Sequence, residues 1–475
     1  MIFNSLSFLV FLPTVFMLYW FVFHKSLQNR NILLLLASYV FYGWWDYRFL
    51  SLIFASTLVD YFVALALPKA ETQKRRRLLL FVSLAFNLGL LALFKYYNFF
   101  IESWVEAWSL LGIHMQVSTL YIILPVGISF YTFQTLSYTI DVYRQKLEPT
   151  SRFIEFAAYV AFFPQLVAGP IERASHLLPQ FRVLHQFDYQ LAKSGLSLIV
   201  WGLFKKMVVA DNCSYFVNEI FSAPYGFSLS ELWLGAILFG FQIYGDFSGY
   251  SDIAIGVARL FGFRLMTNFK FPYFSRDIAE FWRRWHISLS TWFRDYLYIP
   301  LGGSRGNKWQ QVRNTFIVFL VSGFWHGANW TFIIWGGIHA CLFLPLLLLN
   351  KNRRYVGNQQ LTFHNFFPVV FTFAMVTLAW VFFRADSLAI AIRYVGHMFY
   401  NSNYDLSFFM KSPKIILLGT IVAFATVMML AFEFWAYRKQ RVEVRLSTPA
   451  KIAVVLLIVF MGVYKNPSTF IYFQF

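Results

Sequence analysis

A histidine flanked by glycines in an apolar segment is the strongest candidate for chemistry in this sequence. His326 lies in the run SGFWHGANW, where burying an ionisable side chain in a membrane span is costly and so suggests function. Gly323 and Gly327 let another group approach the imidazole closely. Ser322 and Asn329 are expected on the same helical face, where either can hydrogen-bond one ring nitrogen. The other nitrogen then remains an acceptor, as a general base requires; a core histidine satisfied by a backbone carbonyl is the structural alternative.

Two more histidines belong to the same part of the chain. His339 follows His326 by 13 residues, which on an unbroken helix is about 20 Å along the axis and roughly 220° around it. We therefore expect His339 to be structural unless Gly336 and Gly337 break the helix. His286, in WHIS, lies on a basic segment, where a partly wet interface histidine is as reasonable as a functional one. The histidine spacings match no helical metal site, so no metal is expected.

Carboxylates form a second group of candidates. Asp246 and Asp252 flank the small-residue run FSGYS, which could open a polar notch between helices. Supporting roles in the site are one interpretation of these two aspartates. The structural alternative is an internal ion pair or a helix cap, because perturbed carboxylates are often structural.

The elements that must position these residues are membrane-spanning helices. The 475 residues are 59% hydrophobic and 13% charged, whereas soluble domains run near 45–50% apolar and about 25% charged. The sequence predicts an all-α polytopic membrane protein with about 11 spans plus re-entrant or interfacial helices, folded as one domain over 1–475. The basic surplus of +18 is therefore assigned to the membrane surface and not to nucleic acid. The predicted spans are 6–23, 31–45, 49–67, 78–100, 119–138, 153–169, 194–210, 231–247, 314–335, 366–383, 413–432 and 451–464, and the run 336–349 is either a continuation or a short helix of its own.

The positions of Lys and Arg predict the orientation of the chain in the membrane. Basic loops at 24–30, 68–77, 351–354 and 438–445 are expected on the cytoplasmic side, and 101–118 contains no Lys or Arg. Both termini are therefore expected outside the cytoplasm.

Residues 259–313 break the pattern of spans and loops. The region carries ten Lys or Arg residues and three Asp or Glu residues, interleaved with aromatic and aliphatic side chains. It is expected at the cytoplasmic interface, with Ile278 to Tyr298 forming one helix and residues 301–308 a glycine-rich basic turn. Such a turn is usually only a turn, but it could also bind an anionic donor such as coenzyme A. The candidate donor-binding residues are Arg283, Arg284, Arg294, Arg305 and Lys308.

A set of longer motifs resembles the membrane-bound O-acyltransferase family, in its bacterial branch of alginate and peptidoglycan O-acetyltransferases. The motifs extend from about residue 3 to residue 384, they are densest at about 120–345, and the terminal FIYF at 470–473 is also similar. The matching runs are LPVGISFYTF at 124–133, DVYR at 141–144, FPQLVAGP at 163–170, GDFSGYSDIAIG at 245–256, FWRRWHISLSTWFRDYLYIPLGG at 281–303 and FWHGANWTFIIWGGIHA at 324–340.

The resemblance implies a fold, an activity and a set of site residues. Helices would surround a thinned centre in which funnels from both faces meet near the histidine of the WHG motif, here His326 beside Trp325. The histidine of the RWHxS motif, here His286, would be the second functional one. The resemblance also implies cytosolic acetyl-CoA as the donor, with no bound cofactor. A hydroxyl outside the cytoplasm would accept the acetyl group, with an esterase-like (SGNH-type) partner completing transfer to a polysaccharide in a bacterial inner membrane.

Two other function classes fit a multi-spanning basic protein. A polysaccharide transporter or export channel is one, although transporters often contain two related halves and the block 245–340 has no second copy. A non-catalytic membrane anchor for a periplasmic acetyltransferase is the other. Consumption of labelled acetyl-CoA by vesicles would distinguish the acyltransferase from both.

Overall fold

In the part of the chain that the computed structural model describes, every regular element is helical. The described residues are 1–167, 169–357, 362–465 and 468–471; Ala168 of the FPQLVAGP run and Tyr472 and Phe473 of the terminal motif lie outside them. The α-helices are α1 Leu6–Met17, α2 Leu27–Asp46, α3 Leu50–Ala66, α4 Gln73–Leu91, α5 Tyr97–Ser109, α6 Ile128–Tyr143, α7 Phe153–Ala161, α8 Phe163–Leu166, α9 Ala174–Leu177, α10 Tyr189–Leu203, α11 Asp211–Ser222, α12 Leu229–Leu260, α13 Ile278–Arg284, α14 Ile287–Phe293, α15 Lys308–His326, α16 Trp330–Leu348, α17 Phe366–Arg384, α18 Leu388–Tyr400, α19 Ser407–Met410, α20 Pro413–Arg438 and α21 Thr448–Met461.

Long apolar helices dominate this list. By length and composition, five helical stretches of the described residues can cross a membrane: Leu27–Ala66, Gln73–Ser109, Trp330–Leu348, Phe366–Arg384 and Pro413–Arg438. The prediction of an all-helical membrane protein is confirmed, whereas the count of about 11 spans stays a prediction.

The contacts between residues divide the chain into two compact units. The first comprises Met1–Ala192 with Val257–Leu265, and the second comprises Lys193–Gly256 with Met266–Phe475. In the first unit, α3, α4 and α6 surround the buried Asp60, whose carboxylate accepts hydrogen bonds from Ser83, Asn87 and Thr139. The second unit contains all the histidines considered above. The single domain over 1–475 stays a prediction.

The predicted span at 314–335 is wrong, because two antiparallel helices occupy this stretch. Helix α15 ends at His326, and α16 begins at Trp330 and continues through the apolar run 336–349 to Leu348. The turn forms because Asn329 is an N-cap, with its side-chain oxygen accepting the Thr331 N–H at 3.0 Å. The hydrophobicity of the sequence does not reveal so short a turn, because the helices on both sides of it are equally apolar.

Two other predicted helices also differ. The helix predicted over Ile278 to Tyr298 is interrupted between α13 and α14, where His286 has a left-handed backbone with φ of 44°. The predicted span 119–138 begins only at Ile128, after an irregular stretch that includes Pro125 and Gly127 with φ of 76°. Both interruptions depend on backbone angles that hydrophobicity does not encode.

Glycines allow α15 and α16 to approach at backbone distance. A Cβ on Gly323 would lie 2.2 Å from the carbonyl oxygen of Phe332, and one on Gly336 would lie 2.3 Å from that of Phe319. A Cβ on Gly327 would lie 2.1 Å from the Phe332 ring. The glycines beside His326 therefore serve close packing of the hairpin, where small residues let helices meet in a membrane.

Replacing Gly336 with Ala tests this contact, and Gly337→Ala is the matched control. The first Cβ must displace a backbone carbonyl, whereas the second meets only a Leu320 methyl group at 3.7 Å. We expect Gly336→Ala to lower the free energy of unfolding by about 1–3 kcal/mol, the usual cost of overpacking. Thermal unfolding of both variants in detergent measures the difference, and equal unfolding temperatures would contradict this packing.

Candidate active site

The structure brings two of the sequence-predicted histidines together. The ring centroids of His286 and His326 are 6.2 Å apart with an interplanar angle of 57°. His326 is the last residue of α15, and His286 occupies the break between α13 and α14. Both side chains are buried, with 2% and 0% exposure for His326 and His286. Two imidazoles from distant parts of the sequence thus share one enclosed site.

Asn268 holds the break that presents His286. Its backbone carbonyl accepts the Ile287 N–H at 2.9 Å, and its side-chain oxygen accepts from the Ser288 N–H at 3.3 Å and the Ser288 hydroxyl at 2.9 Å. Its amide nitrogen donates to the Ser251 hydroxyl at 3.1 Å. Sequence analysis missed Asn268, because nothing in the run RLMTNFK marks it as a partner of WHIS.

The same contacts determine the tautomer of His286. Its Nδ1 lies 3.1 Å from the Asn268 side-chain oxygen, which already accepts from a backbone N–H and can only be an acceptor. Nδ1 is therefore the protonated nitrogen, and Nε2 is the acceptor of the ring. This assignment follows from the hydrogen-bond partners of Nδ1 and makes Nε2 the accepting side of the ring.

Aromatic rings separate His339 from His326. The Trp335 ring lies 5.1 Å from the His326 ring at 90°, and 4.9 Å from the His339 ring. The Trp282 indole N–H donates to His339 Nδ1 at 3.3 Å. His339 thus orients Trp282 and does not meet His326, which agrees with its expected structural role. Trp325 packs its own ring 5.0 Å from that of His326.

Of the two residues predicted to share the helical face of His326, Ser322 does so and Asn329 does not. Asn329 lies beyond the end of α15, where it caps α16 and donates to the Asp386 carbonyl at 3.2 Å. The prediction that it shares a face with His326 is wrong, because the helix ends at His326 itself. Ser322 lies one turn before His326 on α15, where it lines a cavity.

That cavity combines an aromatic interior with a basic rim. Its volume is about 250 Å³, and Trp282, Phe319 and Ser322 line it beside the exposed Arg294 and Arg353. The remaining lining residues are Ser290, Phe293, Tyr298, Ser304, Thr315, Val318, Phe343 and Asn352. Sequence analysis had assigned Arg353 to membrane orientation only; its place in a basic loop gives no sign of the cavity.

Most of the other predicted donor-binding residues make structural contacts. Arg283 donates to the Asn352 carbonyl at 2.7 Å, and Arg284 binds Glu280 at 2.8 Å and the Tyr437 hydroxyl at 3.1 Å. Burial by itself raises the pKa of Glu280, but the Arg276 and Arg284 guanidinium groups hold it below its usual value.

The last two donor-binding candidates lie around the glycine-rich turn. Lys308 donates to the Leu347 carbonyl at 3.2 Å and also to the Asn350 side chain. Arg305 is exposed. The turn itself leads into α15 through a capping box formed by Asn307 and Gln310. Of the five predicted residues, Arg294 alone lines the cavity just described.

The predicted supporting aspartates are in ion pairs, of which that of Asp246 is buried and that of Asp252 is partly exposed. Asp246 binds Lys206 at 2.8 Å and Asp252 binds Lys205 at 2.7 Å, which matches the structural alternative stated for both. Both lysines belong to the π-helical segment Phe204–Ala210 and were missed, since a lysine pair inside an apolar helix resembles a span boundary. Within the described ranges, no group of three or more His, Cys, Asp or Glu residues could hold a metal ion.

Comparison with known proteins identifies the family. The sequence model described as "MBOAT, membrane-bound O-acyltransferase family" matches residues 142–392, which include both histidines. The chain belongs to the membrane-bound O-acyltransferase family. The resemblance, the polytopic membrane character and the prediction of an O-acyltransferase are thereby confirmed.

Named relatives cover most or all of the chain. A probable alginate O-acetylase AlgI of Pseudomonas putida is 39% identical over 505 positions, covering 100% of both proteins. A peptidoglycan O-acetyltransferase of Helicobacter pylori is 37% identical over 84% of this chain and 80% of its own. A teichoic acid D-alanyltransferase of Streptococcus thermophilus is 29% identical over 54% of this chain and 68% of its own. The chain is thus similar to acyltransferases that differ in acceptor and in acyl group.

The Asn268 contacts can be tested by comparing Asn268→Ala with Ser288→Ala. The first variant leaves the buried Ser288 N–H and His286 Nδ1–H without their acceptor, which costs about 1–3 kcal/mol of stability. The second leaves Asn268 with its other donors and should cost less. Thermal unfolding in detergent measures both, and a larger loss for Ser288→Ala would contradict the assignment.

Proposed function

We propose that this acyltransferase moves an acetyl group from cytosolic acetyl-CoA, through the membrane, to a hydroxyl of an extracytoplasmic polysaccharide. The observation that carries the proposal is the placement of the cavity relative to the histidines. The cavity is lined by the exposed Arg294 and Arg353 and also by the buried Ser322, which lies one helical turn before His326. A donor entering at the arginines would bring its thioester toward the paired imidazoles.

The cavity suits a thioester attached to an anionic nucleotide. Arg294 and Arg353 at the rim can bind phosphate groups, for which guanidinium is well shaped. The aromatic interior at Trp282 and Phe319 accepts a less polar arm. Loop 351–354, which contains Arg353, is predicted to be cytoplasmic. With that orientation, the arginines of the cavity face the compartment that contains acetyl-CoA.

His326 is proposed as the general base. The acceptor hydroxyl attacks the thioester carbonyl, His326 takes the hydroxyl proton, the C–S bond breaks as the C–O bond forms, and the proton leaves on the thiol. General-base assistance is worth roughly 10²–10⁴-fold in rate. His286, with Nε2 as an acceptor, would position the acceptor hydroxyl or the acyl group. An alternative route for the same acyl transfer is a relay in which a histidine first carries the acyl group.

The acceptor and partner are proposed from the relatives' names and from the resemblance. Relatives are named for alginate and peptidoglycan, so a polysaccharide is the proposed acceptor class. We further propose an inner-membrane location with both termini outside the cytoplasm. An esterase-like SGNH-type partner there would pass the acetyl group to the polymer.

Replacing His326 tests the proposed base. In membrane vesicles that contain the partner, we expect His326→Ala to lower consumption of labelled acetyl-CoA by about 10²–10⁴-fold. His114→Ala, which changes an exposed histidine, is the control and should keep the original rate. Near-original turnover by the His326→Ala protein would refute the assignment.

Arg353→Gln tests the donor cavity, and Arg354→Gln is its neighbour control. Loss of a charged contact to a phosphate weakens binding by about 1.5–3 kcal/mol, so KM for acetyl-CoA should rise roughly tenfold or more. Arg354 does not belong to the cavity lining and packs over Tyr355, so its variant should leave KM near the original value. Equal KM values for the two variants would exclude Arg353 from donor binding.

A further inference from the structure

A buried ionic cluster in the second unit has no part in the chemistry proposed above. Its centre is the Lys206 ammonium group, 1% exposed, with Asp211 and Asp246 carboxylate oxygens each at 2.8 Å. Removing such charges from water costs several kcal/mol per ion, and well-packed apolar residues often replace a buried ion pair without loss of stability. Stability alone is therefore a weak explanation for the cluster.

What the cluster binds is the C-terminal segment of the described chain, residues 468–471. The Lys206 ammonium donates to the Ser468 carbonyl at 2.9 Å, and the Ser468 hydroxyl donates to Asp211. The Ile471 N–H donates to the second Asp246 oxygen at 2.7 Å. Lysine and both aspartates thus hold the two ends of a four-residue stretch that follows α21.

The side chain between these anchored ends points to the candidate active site. Phe470, 1% exposed, packs its ring 4.4 Å from that of Tyr250 and 5.9 Å from that of Phe247. Phe247 in turn stands edge-on to the His286 ring, with centroids 4.6 Å apart at 88°. A continuous row of rings therefore connects the anchored segment to one of the two histidines.

We infer that residues 468–471 are a positioning element of the transfer site, anchored by Lys206, Asp211 and Asp246 and acting on His286 through Phe470 and Phe247. None of these side chains is assigned a contact with the reacting atoms. Asn268 fixes His286 from its Nδ1 edge, and the Phe247 ring limits where the imidazole can tilt. Both constraints are needed because a displacement of about 1 Å can cost 10²-fold in rate. The inference rests on the proposed function.

The test uses the whole chain with Phe470→Ala, the conservative Phe470→Leu and, as control, Lys465→Ala, which changes an exposed residue before the anchored segment. We expect Phe470→Ala to lower kcat for acetyl transfer about 10- to 100-fold with little change in KM. Phe470→Leu should recover a large part of kcat, and Lys465→Ala should match the original protein. A purely structural role would instead lower the yield of folded protein and leave kcat per folded molecule unchanged.

A second measurement does not depend on activity. The His286 imidazole is 0% exposed, so diethyl pyrocarbonate should modify it slowly, as measured by peptide mass spectrometry. Phe470→Ala should accelerate that modification, and so should Ile471→Pro, which removes the N–H bound by Asp246 while keeping every side chain of the cluster. Lys206→Met, which removes the central charge of the cluster, tests the anchoring directly and should accelerate the modification as well. If Lys206→Met does not fold, Ile471→Pro provides the test of anchoring.

The outcomes separate this inference from the proposed function. Original kcat and original His286 reactivity in both Phe470→Ala and Ile471→Pro would overturn the inference alone. Full activity of His326→Ala would overturn the proposed base. Faster modification of His286 in Phe470→Ala and Ile471→Pro would still support the positioning role.

Discussion

The position of His326 depends on the backbone contact between α15 and α16. Gly323 and Gly336 face each other's helix at a distance that leaves no room for a Cβ, so the hairpin closes tightly just below its turn. The turn then falls immediately after His326, because Asn329 caps the returning helix. The imidazole is thereby fixed at the buried end of a rigid hairpin, beside Trp335 of the opposite helix. Precise placement of this kind is what acyl transfer between two bound substrates requires.

Satisfaction of buried polar groups explains the surroundings of this hairpin. In an apolar interior an unmatched donor or charge is costly, and several polar side chains near the site come with partners that also fix their orientation. Asn268 does this for His286, and the Lys206 cluster does it for the C-terminal segment. The same rule explains why His339 accepts from Trp282. Polar contacts here specify geometry as much as they stabilise it.

The basic surplus of the chain has two structural destinations. Arg276 and Arg284 neutralise the buried Glu280, and Arg283 donates to the backbone carbonyl of Asn352, which lines the cavity. Arg353 and Arg294, which also binds Asp295 at 2.7 Å, are exposed at the cavity, where an anion can reach them. Net charge therefore describes neither role by itself, because a paired arginine and an exposed one contribute equally to the sum.

The sequence alone determined the class of the molecule and singled out His326 as the candidate base, which stays a prediction. Apolarity over long stretches suffices to predict helices in a membrane, and the motifs around His326 and His286 suffice to predict the family, because both signals are local in the chain. The tertiary structure alone decided where α15 ends, that His286 lies at a left-handed break, and which contacts Asn268, Arg353 and Lys206 make. Each of these depends on a contact between residues far apart in sequence, or on a backbone angle stabilised by such a contact. Hydrophobic periodicity reports which face of a helix is apolar, but the hydrogen bond that His286 donates to Asn268 exists only after the chain has folded.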